Sequence, residues 1–289
     1  MSVVRLGALG VGSFFVVAVL WGAVQPRDAV APDPVRALYK HPHAIEWVHN
    51  GAGNLGLTGT FDRKQLQRGF QVYKEVCAAC HSINRVAFRD LADLGFTAPE
   101  IKAIAASYEV PSIDDKTGEP ATRKGTPADK FPLVYANDAA ARAAQNGALP
   151  PDLSLITKAR KDGTNYVHSL LLGYRDDVPK TLKAPEGLYY NPWFHSAFIA
   201  MPPPLAADDQ VTYADGTKGT RANYAADVST FLAWTAEPRL EARKATGVAA
   251  VIFLLIMTGL GYLSYKKVWA DVKGEAKRKG AHSNVVDQV

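Results

Sequence analysis

The sequence predicts a mainly α-helical domain that is followed by one C-terminal transmembrane helix. Apolar side chains recur at helical spacing in several stretches, whereas strand-like alternation is rare. One apolar segment, Ala245 to Tyr265, has 21 residues and no charge, which is enough to cross a bilayer core of about 30 Å. The chain of 289 residues is 47% hydrophobic and 21% charged, the composition of an ordinary folded protein.

Local signals place the helices of the domain that precedes this segment. Asp62 stands three residues before Gln65, which resembles a capping box and predicts a helix that leads into Cys77. Three further positions have residues that favour the start of a helix: Asn137, Asn165 and Thr220. Residues 32–60, 111–135 and 175–219 are rich in Pro, Gly and polar residues, so we expect them to be irregular.

The formal net charge of +5 is concentrated beside the apolar C-terminal segment. Residues 32–244 hold 25 Lys and Arg against 24 Asp and Glu, whereas residues 266–289 hold six against three. Positive residues flank membrane helices on the cytoplasmic side, so this distribution indicates membrane topology and predicts a cytoplasmic tail. It argues against a nucleic acid partner, which would require basic residues clustered on the folded domain.

A second apolar segment, Leu6 to Val24, follows the single basic residue Arg5. It resembles the hydrophobic region of a secretory signal, with a small-x-small cleavage motif at residues 29–31. The alternative is an uncleaved N-terminal anchor, because the segment is long for a signal; both export the residues that follow. We expect four parts: residues 1–31 as signal peptide or anchor, 32–244 as a periplasmic domain, 245–265 as the transmembrane helix and 266–289 as a basic cytoplasmic tail.

The two cysteines, Cys77 and Cys80, are followed directly by His81 in a C-x-x-C-H motif. This is the pattern of c-type haem attachment. Two residues between the thiols let both sulfurs reach the two vinyl groups on one porphyrin edge, and the adjacent histidine then projects under the iron. The motif therefore predicts one covalently attached haem c with His81 as a ligand of the iron.

Three other uses of the cysteine pair compete with haem attachment. A disulfide within so short a loop would add little stability. A thioredoxin-like redox pair should lie between a strand and a helix of a βαβ unit, whereas this pair follows an apparent helix in a mainly helical region. A structural zinc site needs four nitrogen or sulfur ligands, and the motif supplies three, with no second metal-binding pair in the sequence.

The opposite face of the iron needs a second ligand, for which Met201 is the first candidate. Met1 is the initiator and Met257 lies in the membrane segment, so Met201 is the remaining methionine. Three prolines follow it and should stiffen the loop that presents its sulfur. A His/Met pair raises the reduction potential relative to two histidines, because the soft thioether favours ferrous iron. The competing ligands are His41, His43, His49, His168 and His195.

Together with the C-x-x-C-H motif, four stretches resemble the cytochrome c1 family, the haem subunits of cytochrome bc1 complexes. They are RGFQVYKEVC at 68–77, AQNGALPPDLS at 144–154, GLYYNP at 187–192 and FIAMP at 198–202. The similarity runs from about residue 45 to the tail, and PPDLS is far more specific than C-x-x-C-H. An alphaproteobacterial version of the family fits the N-terminal export signal best. The similarity implies a mainly α-helical, cytochrome c-type haem domain with long insertions.

The resemblance also implies a haem pocket beyond the iron ligands. Arg160 would pair with a haem propionate, since guanidinium donates two parallel hydrogen bonds to a carboxylate; on its own it would be a solvated helix charge. Tyr166 would lie near the propionates, and three residues would line the haem: Asn146, Pro151 and Phe194. Some bacterial relatives have an extra disulfide in this domain, which this chain lacks the cysteines to form, so residues 175–200 should be held by packing alone.

The resemblance further implies an electron relay at the membrane. The Rieske iron–sulfur subunit would reduce the haem, which would reduce a soluble or anchored cytochrome c, and cytochrome b would be a further partner in a dimeric complex. Quinol chemistry belongs to the other subunits, so we expect no acid–base catalytic residues. One alternative is a membrane-anchored monohaem cytochrome c that serves a terminal oxidase, although a small carrier would not need the insertions between His81 and Met201. Another is a non-haem thiol oxidoreductase.

Overall fold

The computed structural model describes residues 3–24, 38–51, 56, 58–272 and 274, and the chain divides into two units. The first unit, residues 1–38, contains helix α1 (Val3–Val24). An apolar helix of this kind fits both a signal peptide and an anchor. The expected cleavage motif at 29–31 lies outside the described residues.

The second unit, residues 39–289, is mainly helical, which confirms the predicted fold class. Its helices are α2 (Arg63–Glu75), α3 (Ala98–Ala106), α4 (Asp138–Ala144), α5 (Ile156–Ala159), α6 (Gly163–Leu171), α7 (Arg221–Ala236) and α8 (Leu240–Val268). Short 3-10 turns cover Val48–Asn50, Cys77–Ala79 and Phe88–Leu94. The strands are β1 (Glu109–Ile113), β2 (Pro120–Lys124), β3 (Tyr189–Tyr190) and β4 (Phe198–Ile199), in two antiparallel pairs.

Three helix starts lie where the sequence predicts them. The side chains of Asp62, Asn137 and Thr220 each accept a hydrogen bond from backbone N–H groups in the first turn of α2, α4 and α7. Each cap satisfies a donor that has no partner within its own helix. Helix α2 is therefore fixed at its start, and it ends at Glu75, two residues before Cys77.

The expectation that Asn165 caps a helix is wrong, because α6 already begins at Gly163. The Oδ1 atom of Asn165 instead accepts hydrogen bonds from the backbone N–H of Ile45 at 3.1 Å and the indole N–H of Trp47 at 2.7 Å. These bonds span more than 115 residues of sequence. They tie the segment that precedes the haem motif to α6.

Helices α2 and α7 cross closely at the centre of the core. A β-carbon at Gly69 would lie 2.2 Å from the backbone oxygen of Asp227 and 2.6 Å from the Cβ atom of Phe231, so the crossing requires glycine. Beside it, Arg68 Nε donates to Asp227 Oδ2 at 2.8 Å, and Asp227 is 3% exposed. A carboxylate so deeply buried needs this partner, since an unpaired buried charge is strongly destabilising.

The expectation of an irregular loop over residues 111–135 is only partly right. Strands β1 and β2 form an exposed antiparallel hairpin in which Pro111 lies opposite Thr122. At its turn the Asp114 carboxylate accepts hydrogen bonds from two backbone N–H groups, at 2.8 and 3.0 Å. The region lies at the surface, as predicted, but it has regular structure that its turn residues concealed.

Helix α8 contains the whole predicted transmembrane segment. Its most apolar 18-residue window has a mean hydropathy of 2.1, and none of that window is buried against the chain. The helix therefore fits a single-pass membrane anchor. Its last turn carries Lys266 and Lys267, while most of the basic tail lies outside the described residues.

The first turns of α8 are attached to the segment that leads into α2. The carboxylate of Glu241 accepts from the backbone N–H of Phe61 at 2.7 Å and pairs with Arg63 at 2.9 Å. The Lys244 ammonium donates to the backbone oxygen of His49 at 2.6 Å. The helix is thus joined to the helical domain just before the point where the membrane segment is predicted to begin.

Candidate haem site

A mostly apolar cavity of about 600 Å³ opens between the C-x-x-C-H turn, helix α6 and the loop after β4. Its size suits a large cofactor. Eight of the nine predicted site residues line it: Cys77, Cys80, His81, Pro151, Arg160, Tyr166, Phe194 and Met201. Its apolar walls come from α6, with Val167, Leu170 and Leu171, and from α7, with Val228 and Leu232.

The imidazole of His81 is held in one orientation. Its Nδ1 atom lies 2.8 Å from the backbone oxygen of Pro151, and because a carbonyl can only accept, Nδ1 carries the proton. Nε2 is therefore left with its lone pair, the form that a metal ligand requires. Burial lowers the pKa of His81, against a smaller opposing effect of the Pro151 hydrogen bond and Asp152, and so favours this neutral form. The hydroxyl of Tyr73 fixes the backbone by donating to the oxygen of His81 at 2.9 Å.

The Pro151 carbonyl is itself fixed by the side chain that follows it. The Asp152 carboxylate accepts hydrogen bonds from the backbone N–H of Asn84 at 2.8 Å and of Ser154 at 2.9 Å. The buried hydroxyl of Ser154 in turn accepts from the backbone N–H of Arg85 at 3.2 Å. The PPDLS stretch is thus held against the residues that follow the C-x-x-C-H motif. These hydrogen bonds are a physical reason for the presence of Asp152 and Ser154 in the stretch.

The two thiols belong to the cavity wall and are not joined to each other. Burial, followed by the proximity of Cys80, raises the pKa of the Cys77 thiol to about 12. A redox-active dithiol needs a thiolate at neutral pH, so the environment of Cys77 does not suit thioredoxin-like chemistry. Gln145, which the sequence did not single out, donates to Cys80 Sγ at 3.7 Å and to the Tyr135 hydroxyl at 2.7 Å.

Met201 also lines the cavity. The ladder between β3 and β4 ends at Ile199, two residues earlier. The hydroxyl of Tyr174 donates to the backbone oxygen of Met201 at 3.1 Å. None of the five competing histidines is among the described residues that line the cavity, which favours Met201 as the second iron ligand.

One of those histidines has a clear structural role elsewhere. His49 is 3% exposed and its ring stacks between Trp47 and Phe61, at centroid distances of 5.7 and 5.2 Å. Burial, and then the charge of Lys244, lowers the pKa of His49 to about 4. This neutral side chain belongs to the junction with α8.

Arg160 and Tyr166, the residues predicted to lie near the haem propionates, both line the cavity and are close to each other. Arg160 is exposed, and one of its N–H groups donates to the backbone oxygen of Ala159 at 3.2 Å. Burial raises the pKa of Tyr166, while the nearby Arg160 charge opposes that rise. A guanidinium at the rim beside a buried tyrosine can receive a carboxylate.

Asn146 is the predicted residue that is not among those lining the cavity. It follows α4 with a φ of 50°, a left-handed conformation that asparagine adopts more readily than most residues. Its neighbour Gln145 does line the cavity. The contact of Asn146 with the haem stays a prediction.

The loop over residues 175–200 is held by hydrogen bonds in addition to the predicted packing. The buried side chain of Asn191 donates to the backbone oxygen of Leu170 at 2.8 Å and accepts from the backbone N–H of Trp193 at 3.1 Å. The guanidinium of Arg175 lies over the Trp193 ring at 5.4 Å. The GLYYNP stretch is therefore an anchor that fastens the loop to α6.

The donor set fits a covalent haem better than a bare metal ion. Among the residues that the structure describes, no group of three or more His, Cys, Asp or Glu side chains could hold a metal ion. A structural zinc site would need four such ligands. One imidazole nitrogen, two thiols and a thioether around a large apolar cavity are the groups that haem c requires.

A model of the Cytochrome C1 family matches residues 53–272, which is most of the chain. The chain belongs to the cytochrome c1 family. The match includes the C-x-x-C-H turn, the PPDLS stretch, Met201 and α8. Proteins of this family carry c-type haem, which agrees with a large apolar cavity beside the C-x-x-C-H turn.

Individual relatives agree with this cytochrome c1 assignment. The chain is 46% identical over 233 residues to cytochrome c1 of Rhodospirillum rubrum, which covers 75% of this chain and 85% of the relative. It is 46% identical over 233 residues to the mitochondrial cytochrome c1 heme protein of Saccharomyces cerevisiae, which covers 81% and 74%. It is also 46% identical over 237 residues to cytochrome b/c1 of Bradyrhizobium diazoefficiens, but there the match covers 75% of this chain and only 34% of the relative.

Proposed function

We propose that this protein is the haem-bearing electron-transfer subunit of a cytochrome bc1 complex. In this role it accepts electrons from the Rieske iron–sulfur subunit and passes them to a soluble or membrane-bound cytochrome c. Membership of the cytochrome c1 family supports the role. The observation that carries it is that both proposed iron ligands, His81 and Met201, line the same large apolar cavity.

The chain's own residues would bind and orient the cofactor. Cys77 and Cys80 would hold haem c through two thioether bonds. When bound, haem c supplies a reversible one-electron iron couple. The hydrogen bond to the Pro151 oxygen orients the His81 ring and makes its Nε2 atom a stronger donor. Met201 would supply the soft sulfur that favours the ferrous state.

The remaining pocket residues have supporting roles in the proposal. Arg160 would pair with a propionate at the rim, with Tyr166 beside that pair. Pro151, Phe194 and Asn146 would contact the haem. The apolar walls exclude water, which disfavours the extra positive charge of ferric iron and raises the reduction potential. Quinol oxidation belongs to the other subunits. The role of this chain is to set the reduction potential of the haem and to expose one haem edge to its electron-transfer partners.

The proposed topology places the haem domain in the periplasm of a bacterial inner membrane. Helix α8 would cross the membrane once, and the six basic residues after Tyr265 would keep the tail in the cytoplasm. On the periplasmic side the haem can meet the Rieske subunit and cytochrome c, while α8 lies against cytochrome b in a dimeric complex. An anchored monohaem carrier would share the haem motif and the anchor, but the family match extends through the long insertions as well.

Replacement of the cysteines tests the proposal. Cys77→Ser combined with Cys80→Ser should abolish covalent haem, measured as a pyridine haemochrome after the chain has been denatured and extracted. Ala79→Ser is the matched control, because it adds a hydroxyl to an exposed position of the same turn and leaves both thiols in place. Normal covalent haem in the double variant would overturn the proposal.

A further inference from the structure

The segment that presents Met201 has few backbone anchors of its own. The β3–β4 ladder ends at Ile199, and residues 202–204 are prolines, which have no N–H group to donate. Beyond them, the side chain of Gln210 donates to the backbone oxygen of Pro204 at 3.0 Å. Between these two attachments, four residues depend on other contacts to hold the methionine in place.

Tyr174 supplies one such contact. Its hydroxyl donates to the backbone oxygen of Met201 at 3.1 Å. Among the hydrogen bonds of the described residues, this is the one that reaches residues 200–203. Loss of the phenolic oxygen alone would therefore remove the direct backbone tether of the proposed iron ligand.

The position of Tyr174 is itself fixed by the end of α6. Gly173, immediately before it, is so closely packed that a β-carbon would lie 2.6 Å from both Asn191 Oδ1 and the backbone oxygen of Ser169. Helix α6 forms one wall of the cavity. Tyr174 thus connects the end of α6 with the loop that contains Met201, and the close packing at Gly173 leaves its backbone little freedom to move.

We propose that Tyr174 is a positioning residue for the second iron ligand: its hydroxyl holds the Met201 carbonyl so that the sulfur stays directed into the haem cavity. The inference rests on the proposed function, because it takes Met201 as the ligand. Tyr174 does not touch the reacting atoms in this scheme. It holds the loop in place, and a competing ligand can bind the iron only if the loop is displaced.

Competition between imidazole and Met201 for the iron measures directly how strongly the loop is held. The full-length holoprotein, purified in its complex, is titrated with imidazole while the near-infrared sulfur-to-iron charge-transfer band of the ferric haem is recorded. Tyr174→Phe keeps the ring and removes only the hydroxyl. Since one hydrogen bond contributes about 0.5–1.5 kcal/mol, imidazole should displace the methionine at roughly two- to tenfold lower concentration than in the wild type.

Tyr189→Phe is the matched control. Tyr189 lies in β3 beside the same loop, is 42% exposed, and its hydroxyl makes no hydrogen bond among the described residues. Its titration should match the wild type. An unchanged titration in Tyr174→Phe overturns the positioning role and leaves the proposed function intact. A wild-type protein without the charge-transfer band overturns the ligand assignment, and with it this inference.

Discussion

Replacement of Asp152 should both destabilise the domain and disturb the iron ligand. In Asp152→Ala two hydrogen bonds from backbone N–H groups are lost, at 2.8 Å from Asn84 and 2.9 Å from Ser154. Hydrogen bonds to a charged acceptor contribute about 1.5–3 kcal/mol each, and partial exposure reduces their sum to roughly 2–4 kcal/mol. The free energy of unfolding should fall by that amount.

The same substitution should raise the reduction potential of the haem. Asp152 holds the segment whose Pro151 oxygen accepts the hydrogen bond of His81 Nδ1. When that bond weakens, the imidazole becomes a poorer electron donor to the iron, so ferric iron is less well stabilised. A redox titration of the purified holoprotein, together with denaturant unfolding followed by tryptophan fluorescence, measures both effects.

Asp114→Ala is the matched control for this prediction. Asp114 also accepts two backbone N–H hydrogen bonds, but in the exposed turn of the β1–β2 hairpin. Its removal should leave the reduction potential unchanged. The reasoning is refuted if Asp152→Ala has the same stability and the same potential as Asp114→Ala.

Three further predictions concern the second ligand, a buried histidine and topology. Met201→Leu should keep the covalent haem but lose the near-infrared sulfur-to-iron band. The reduction potential should fall, and each fall of roughly 60 mV corresponds to about 1.4 kcal/mol for one electron. An unchanged spectrum would exclude Met201 as the ligand. Because the folded pKa of His49 is about 4, below its unfolded value, His49 contributes about 3 kcal/mol of stability above pH 6.5, and this contribution is lost as the pH falls towards 4. His49→Phe should therefore flatten the dependence of the unfolding free energy on pH, and a slope equal to that of the wild type would contradict the prediction. A periplasmic reporter fused before Ala245 should be exported and one after Lys279 should not, and the reverse would overturn the topology.

Features encoded by neighbouring residues could be predicted from the sequence. The caps at Asp62, Asn137 and Thr220 each bond within the next three residues, so a short window contains all the information. The fold class and the membrane-length helix follow from periodicity and composition, and both agree with the structure.

Features that depend on distant residues could not be predicted in this way. Asn165 has the residue type of a helix cap, but its acceptor is used by Ile45 and Trp47, about 120 residues away. The tether from Tyr174 to Met201 joins residues that are 27 positions apart and leaves no local pattern. Asp152 lies in a recognised stretch, but its carboxylate accepts from the backbone N–H of Asn84, 68 residues earlier in the chain, and no local pattern encodes that bond.

The most direct test of the central claim is a haem analysis of the material that purifies with this chain from its native membranes. The chain, with an affinity tag, is isolated in mild detergent, and c-type and b-type haem are quantified from reduced-minus-oxidised spectra and pyridine haemochromes. The account predicts c-type haem that stays on this chain after denaturation, together with b-type haem from co-purifying cytochrome b. A chain without covalent haem, or one that carries c-type haem but purifies without any b-type haem, would contradict it.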